Sequence, residues 1–198
     1  NKYSGYQKVA ANVIALDGTN WFSSFTIDKG SKEGIKKGMN VIAGSGLVGI
    51  VTDVGPNFAK VRSIIDDSSN VSSMVLTTKD NFNVGGSLKS MNQDKVLPFT
   101  ELRDEDDKVK VGDPVVTSYV SDQYQEGILI GYIASIEKNA NNLTKSGTIT
   151  PVVDFQHLRE VLVITTLKDT GEKELSSQKA SDTQTETQDN TETQKSQE

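Results

Sequence analysis

Few side chains in this 198-residue chain are equipped for covalent or metal chemistry. There is no Cys and one His, His157, so a disulfide framework, an iron–sulfur cluster, a Cys nucleophile and any zinc site built on Cys or paired His all lack their ligands. The remaining candidates are carboxylates and hydroxyls. The acid-rich stretch DEDD at 104–107 reads as a solvated turn, with cation binding as the lesser reading. Asp66 and Asp67 are adjacent at the end of a β-branched run, so they point to opposite faces, unlike a glycosidase pair held across a cleft. His157, in DFQHLREV, reads as a surface or interface residue. A Ser-His-Asp triad would also need a serine in a glycine-framed oxyanion loop, and only Ser45 lies between glycines. Ser176 and Lys179 have the spacing of a penicillin-binding nucleophile motif but lie in a polar run that builds no pocket. Asn70-Val71-Ser72 and Asn142-Leu143-Thr144 fit the glycosylation acceptor pattern, which decides nothing while the compartment is unknown. No catalytic residue, no metal ligand set and no cofactor is assigned.

One phosphate-binding pattern needs a fuller test. GSGLVG at 44–49 matches the GxGxxG dinucleotide fingerprint and follows the strand-like MNVIA. That fingerprint requires a helix to begin at its last glycines, so that the helix N-terminus faces a pyrophosphate. Here Ile50, Val51, Thr52 and Val54 follow, and Gly55-Pro56 ends the segment too early for a helix. Glycines inside a strand pattern instead permit bulges and tight bends where a small sheet curls on itself.

The elements that would position any site are strands. Residues 1–168 hold 20 Val and 13 Ile against 11 Leu and 7 Ala, a bias toward side chains that suit a pleated surface. Candidate strands recur at 8–16, 22–28, 39–43, 46–54, 59–66, 71–77, 84–89, 95–99, 115–119, 128–138, 147–153 and 161–167, the spacing of sandwiches and barrels. No window sustains a helical apolar period, so single helical turns are the most expected. An internal repeat adds to this: SKEGIKKGMNVI at 31–42 aligns with EDDKVKVGDPVV at 105–116, and GIVTDV from Gly49 aligns with GYIASI from Gly131. The second copy carries eight extra residues around 118–126. Two similar small β-domains are implied, with Gly30, Gly38, Gly46, Gly49, Gly112, Gly127 and Gly131 as structural glycines.

Charge divides unevenly. Residues 169–198 contain eight acidic and three basic side chains and only Leu175 and Ala180 as apolar ones, too little to offset the entropy of ordering the segment, so this tail is expected to be disordered. The remainder is close to neutral, which removes the basic footprint of a nucleic-acid binder. The chain starts at Asn1 without Met and holds neither a signal peptide nor eighteen consecutive apolar residues. As it stands it reads as soluble.

The succession VIAxD from Val13, WFxxFTIDKGSKEGIKKGMxVI from Trp21, GLVGxV from Gly46, VGDxVVTS from Val111, GILIGYI from Gly127 and PVVDFxxLxxVLV from Pro151 resembles the rod shape-determining MreC family over residues 8–167. The resemblance implies a protein anchored by one N-terminal transmembrane helix, absent here, and a dimerising coiled coil, of which residues 1–7 would be the exit. It implies an all-β fold of two small β-barrel domains on the outer side of the cell membrane; the strand pattern makes them six-stranded and, with the two β-runs from 147 to 167 read as surplus to the second, gives the first barrel 8–66 plus about 148–168 and the second 67–147. Its implied role is a non-enzymatic scaffold for peptidoglycan synthesis, with class B penicillin-binding proteins, RodA and MreD as partners and a homodimer or higher self-association. The polar tail and the lack of Cys suit a Gram-positive source.

The chain departs from many relatives at 119–126, where they carry glycines. Tyr119 and Tyr124 in that loop, with Phe99 before another polar loop, are the candidate partner contacts, since interface anchors are preferentially aromatic. Trp21 and Phe22 read as core. Two other classes share parts of the pattern: a chymotrypsin-like two-barrel protease, which would need His157 beside a serine and a carboxylate, and an adaptor or membrane-fusion-type β module, which would need a lipoyl-like lysine hairpin or a long helical hairpin.

Overall fold

β-Branched runs, each closed by glycine or by Asn/Asp-rich turns, become strands at all twelve places expected, with ends moved by a few residues. They are β1 (Lys8–Leu16), β2 (Ser24–Ile27), β3 (Asn40–Ala43), β4 (Gly46–Val54), β5 (Ala59–Ser63), β6 (Asn70–Val75), β7 (Asn81–Gly85), β8 (Leu97–Leu102), β9 (Pro114–Thr117), β10 (Leu129–Lys138), β11 (Lys145–Pro151) and β12 (Glu160–Ile164). The structure, a computed structural model, describes residues 5–16, 22–104, 106–140 and 143–168. The expectations for the tail from 169, most of the 1–7 segment, Trp21, Asn142, Ser176 and Lys179 lie outside the described residues.

A seven-residue helix, α1 (Leu88–Asp94), stands where the expected strand 84–89 would have continued. It is longer than the single turn expected of this chain. Ser87 caps it, its Oγ accepting from the Ser90 amide at 3.2 Å, which is the usual role of serine at that position. The neighbouring Gly86 leaves no room for a strand side chain, because a Cβ there would lie 1.8 Å from the Asp66 carbonyl oxygen.

Strand pairing forms two closed rings. The first runs β4-β3-β12-β1-β2-β5 and back to β4, every pair antiparallel. The second runs β10-β9-β6-β7-β8-β11 and back to β10, again all antiparallel. Closure satisfies the backbone donors and acceptors that sheet edges would otherwise expose. The expectation that everything from about 148 returns to the first ring needs correcting: β11 pairs with both β8 and β10 and belongs to the second. Only five strands, β6–β10, lie between 70 and 138, so the sixth wall position was vacant and the hairpin partner of β10 takes it.

The sequence repeat is visible in the hydrogen bonds. The Gly38 amide donates to the Val51 carbonyl at 2.9 Å and the Gly112 amide to the Ile133 carbonyl at 2.8 Å, while Val51 and Ile133 donate back to Met39 and Asp113. Strands β3, β4 and β5 thus correspond to β9, β10 and β11. In the second ring the strand between β9 and β7 is β6; in the first, the equivalent place between β3 and β1 is held by β12. The rings touch at one parallel bridge, Leu129 opposite Gly46.

Gly49 and Gly131 are equivalent, and each lets a neighbouring strand approach: an added Cβ would lie 2.0 Å from the Arg62 carbonyl oxygen or 2.2 Å from that of Thr150. Gly49→Ala and Gly131→Ala should each cost about 2 kcal/mol or more, in the range of overpacking. Gly85→Ala, where nothing comes closer than 4.0 Å, should change stability by less than about 0.5 kcal/mol. Urea denaturation of the three variants checks this.

Candidate functional site

The eight-residue expansion of the second repeat forms a loop, residues 118–127, with a built interior. Thr117 Oγ1 donates to the Gln125 carbonyl at 2.6 Å and accepts the Ile128 amide at 2.8 Å, closing the stem. The Ser121 hydroxyl accepts the Tyr124 and Gln123 amides at 3.0 and 3.3 Å, which turns the chain back. Ser118 hydrogen-bonds Asn81 and accepts the Val120 amide at 3.2 Å.

The inner half of the loop lies on the first barrel. Ile164, Asn40, Ile50 and Arg62 are directly opposed across β12, β3, β4 and β5, so they share a face. It is the outer face, since the alternate positions Val51, Val61 and Phe25 fill the barrel. Asn40 nevertheless is 2% exposed and Ile50 6%, because the loop covers them. Asn40 Nδ2 donates to the Gln123 carbonyl at 2.9 Å, its Oδ1 accepts the Gln125 amide at 2.7 Å, and Gln125 Nε2 donates to the Thr166 carbonyl at 3.1 Å. Tyr124 is packed into the core cluster; burial pushes its phenol up to about 12, with the Arg62 guanidinium pulling the other way.

The outer half faces solvent. Tyr119 is 55% exposed and Val120 59%, and the Tyr119 carbonyl accepts Lys168 Nζ at 3.3 Å. Val120 walls one side of a cleft of about 540 Å³ whose floor includes Ser72, Asn81, Asn83, Glu101 and Arg103. Of the three aromatic contact candidates, then, only Tyr119 is on the surface. Tyr124 is buried because the loop folds back, and Phe99 is buried because its position in β8 faces inward, with its ring edge-on to Phe82 at 5.1 Å. Phe22 is half-buried and meets Phe25 edge-on at 6.0 Å.

The acid-rich stretch is a solvated turn at Asp106 and Asp107 but not at Asp104. The Asp104 side chain is 1% exposed and accepts the Lys108 and Val109 amides at 2.8 and 3.1 Å and Lys145 Nζ at 2.7 Å. Lys145 also pairs with Asp107, which holds Lys138 at 3.0 Å. Burial alone would raise the Asp104 carboxyl, but the Lys145 ammonium and the two amides outweigh it and hold it below the usual carboxylate range. Burial would likewise lower Lys145; its bonds to Asp104 and Asp107 outweigh that and hold it above the usual lysine value. The network fixes the loop before β9 against the start of β11. Among the described residues no three His, Asp or Glu side chains are placed to hold a metal ion.

The other candidates serve local structure. His157 Nδ1 lies 2.7 Å from Asp154 Oδ2 on the surface, the pair being largely exposed. Asp66 accepts the Ser68 amide and hydroxyl, and Asp67 accepts the Leu88 amide at 2.8 Å where α1 begins. Ser45 sits in the turn between β3 and β4, with a strand and no helix after it. Of the structural glycines, Gly38, Gly112 and Gly127 have positive φ, while Gly30, Gly46, Gly49 and Gly131 sit where a Cβ would come within 2.5 Å of a neighbour. Asn40, Gln125 and Lys145 escaped the sequence reading; a lone polar residue in an apolar run, as Asn40 is in MNVIA, is the one signal that pointed to the first of them.

Residues 13–165 match the family model of the rod shape-determining protein MreC, barrel core. The cell shape-determining protein MreC of Listeria monocytogenes is 34% identical over 161 residues, covering 80% of this chain and 54% of the relative; the chain thus spans about half the length of the curated relatives it matches. A solved Listeria MreC structure superposes with a TM-score of 0.71 at 33% identity, over 83% of this chain and 79% of that one. The fold is also shared with the MreC of a complex between penicillin-binding protein PBP2 and MreC from Helicobacter pylori, with a TM-score of 0.59, 12% identity and coverage of 81% and 100%.

The Asp104 network generates a pH test. A carboxyl with a depressed folded pKa contributes stability that is complete above its unfolded value and is lost as pH falls through the folded one. Asp104→Asn should cost about 2–3 kcal/mol at neutral pH, toward the low end for breaking a buried pair because Asp107 stays on Lys145. Below about pH 4 the native protein should lose stability faster than the variant, and the two should converge once the pH has fallen past the depressed folded value of Asp104. Thermal unfolding across that range measures both limbs.

Proposed function

Since the chain belongs to the rod shape-determining protein MreC family, we propose that it is the extracytoplasmic part of a non-enzymatic scaffold that organises peptidoglycan synthases to set cell shape. On this reading an N-terminal transmembrane helix outside this chain anchors it, and class B penicillin-binding proteins, RodA and MreD are its partners, with self-association as a dimer or higher. The observation that carries the reading is the loop at 118–127: an ordered, hydrogen-bonded support that presents Tyr119 and Val120 to solvent beside a polar cleft. An apolar pair on a rigid base, surrounded by polar groups, is the composition of an interface anchor and its rim. A fold relative seen with PBP2 supports the choice of partner class. The protease alternative is the weaker reading, since among the described residues the ring partner of His157 is the exposed Asp154.

Tyr119→Ser with Val120→Ser in the membrane-anchored full-length protein should weaken capture of the transpeptidase at least about tenfold, the effect of a central anchor, while the thermal midpoint stays within about 2 °C. Unaltered capture would move the contact to another surface. His157→Ala should leave cell shape unchanged in cells that depend on this protein; loss of shape with an intact fold would reopen a catalytic or switch role.

A further inference from the structure

Besides the loop at 118–127, the two barrels meet at the chain crossings at 64–69 and 152–159, at the parallel bridge between Leu129 and Gly46 and along the buried start of β4. The loop adds a point of contact held by side-chain hydrogen bonds. It leaves β9 in the second barrel, lays Tyr124 and Gln125 over the outer row Ile164, Asn40, Ile50 and Arg62 of the first, and is held there by three hydrogen bonds from two side chains. Asn40 is placed for this: it is a wall residue of β3 whose amide has no role inside the barrel, and both ends of that amide are spent on backbone groups of the other barrel. The Ser121 turn and the Thr117 stem keep the loop in the shape that reaches it.

We infer that residues 118–127 are an inter-barrel latch, with Asn40 as its positioning residue in the first barrel, and that the latch fixes the angle between the barrels. Undocking would give up the two bonds of the Asn40 amide to the Gln123 carbonyl and the Gln125 amide and expose the buried Tyr124 ring to water. The same loop carries Tyr119 and Val120 on its other side, so the latch also sets where that pair points; this part rests on the contact proposed above.

The absence of Cys allows a direct test. Lys60→Cys in β5 and Glu137→Cys in β10, both exposed, carry spin labels whose distance is read by pulsed electron resonance in an otherwise native chain. The expected result is a single narrow distribution that broadens markedly in Asn40→Ala and in Gln125→Ala, the second variant lying outside both barrel walls. In parallel, amide exchange at Gln125 should quicken at least about tenfold in Asn40→Ala while Val51 and Ile133, which report the two barrels separately, stay protected. An unchanged distribution in Gln125→Ala together with unchanged Gln125 exchange in Asn40→Ala overturns the latch, and so does broadening that appears only with loss of Val51 or Ile133 protection. Transpeptidase capture by the Tyr119/Val120 double variant is scored separately, so failure of the contact leaves the distance result standing.

Discussion

The structure depends on closing two small sheets, and one of them cannot be closed by its own stretch of chain. Residues 8–63 supply five strands, β1–β5, which leave β3 and β1 as edges facing a gap. Only β12, made after the whole second barrel, fills it, setting Lys8 opposite Ile164 on one side and Asn40 opposite Ile164 on the other. The second barrel has no such debt, since β6–β11 are contiguous. Loop-closure entropy therefore favours the second barrel forming first and the first completing across the full chain. The two units are tied by topology before any side chain joins them.

That tie explains the apolar density of β4. A half-buried barrel strand alternates between core and solvent, yet six consecutive residues at the start of GLVGIVTDV are buried. One face fills the first barrel; the other lies under the second barrel and its loop. A strand covered on both faces reads as a continuous apolar run, and the alternation returns at Thr52 and Asp53, where the cover ends. In this setting Asn40 is the polar exception that specifies register, since a buried amide tolerates only the arrangement that meets both its donor and its acceptor.

The strands were legible because β-branched composition and turn residues act locally, and the repeat was legible because Gly38 and Gly112 answer the same backbone demand at the same offset. What was hidden depends on partners distant in sequence. Nothing near 104–107 announces that Lys145 will neutralise Asp104, and nothing in SYVSDQYQEG says which tyrosine turns inward. Tyr119 and Tyr124 have similar polar neighbours; the Ser121 hydroxyl reverses the chain between them and sends them to opposite sides. The allocation of β11 failed for a simpler reason, since the runs from 147 on were taken as surplus to a second barrel that holds only five strands before them, and the helix α1 was hidden because a serine cap and a tight Gly86 approach override a weak strand pattern.

Where two copies of a unit share a fold, the features common to both are the ones the barrel itself requires: the positive-φ glycines before β3 and β9, and the flat glycines of β4 and β10. Features present in one copy answer some other demand. The loop at 118–127 is the largest such difference, and it meets two demands at once, since its inner residues are spent on the neighbouring barrel and its outer ones are left in solvent. A surface loop that needed only to connect β9 to β10 would be short, as its counterpart between β3 and β4 is. The extra residues are long enough to reach Asn40 and return, and returning is what exposes Tyr119 and Val120 on a support that cannot slacken without undocking from the first barrel. A partner that bound Tyr119 and Val120, as proposed, would not have to order the loop on contact, because that ordering has already been met in folding.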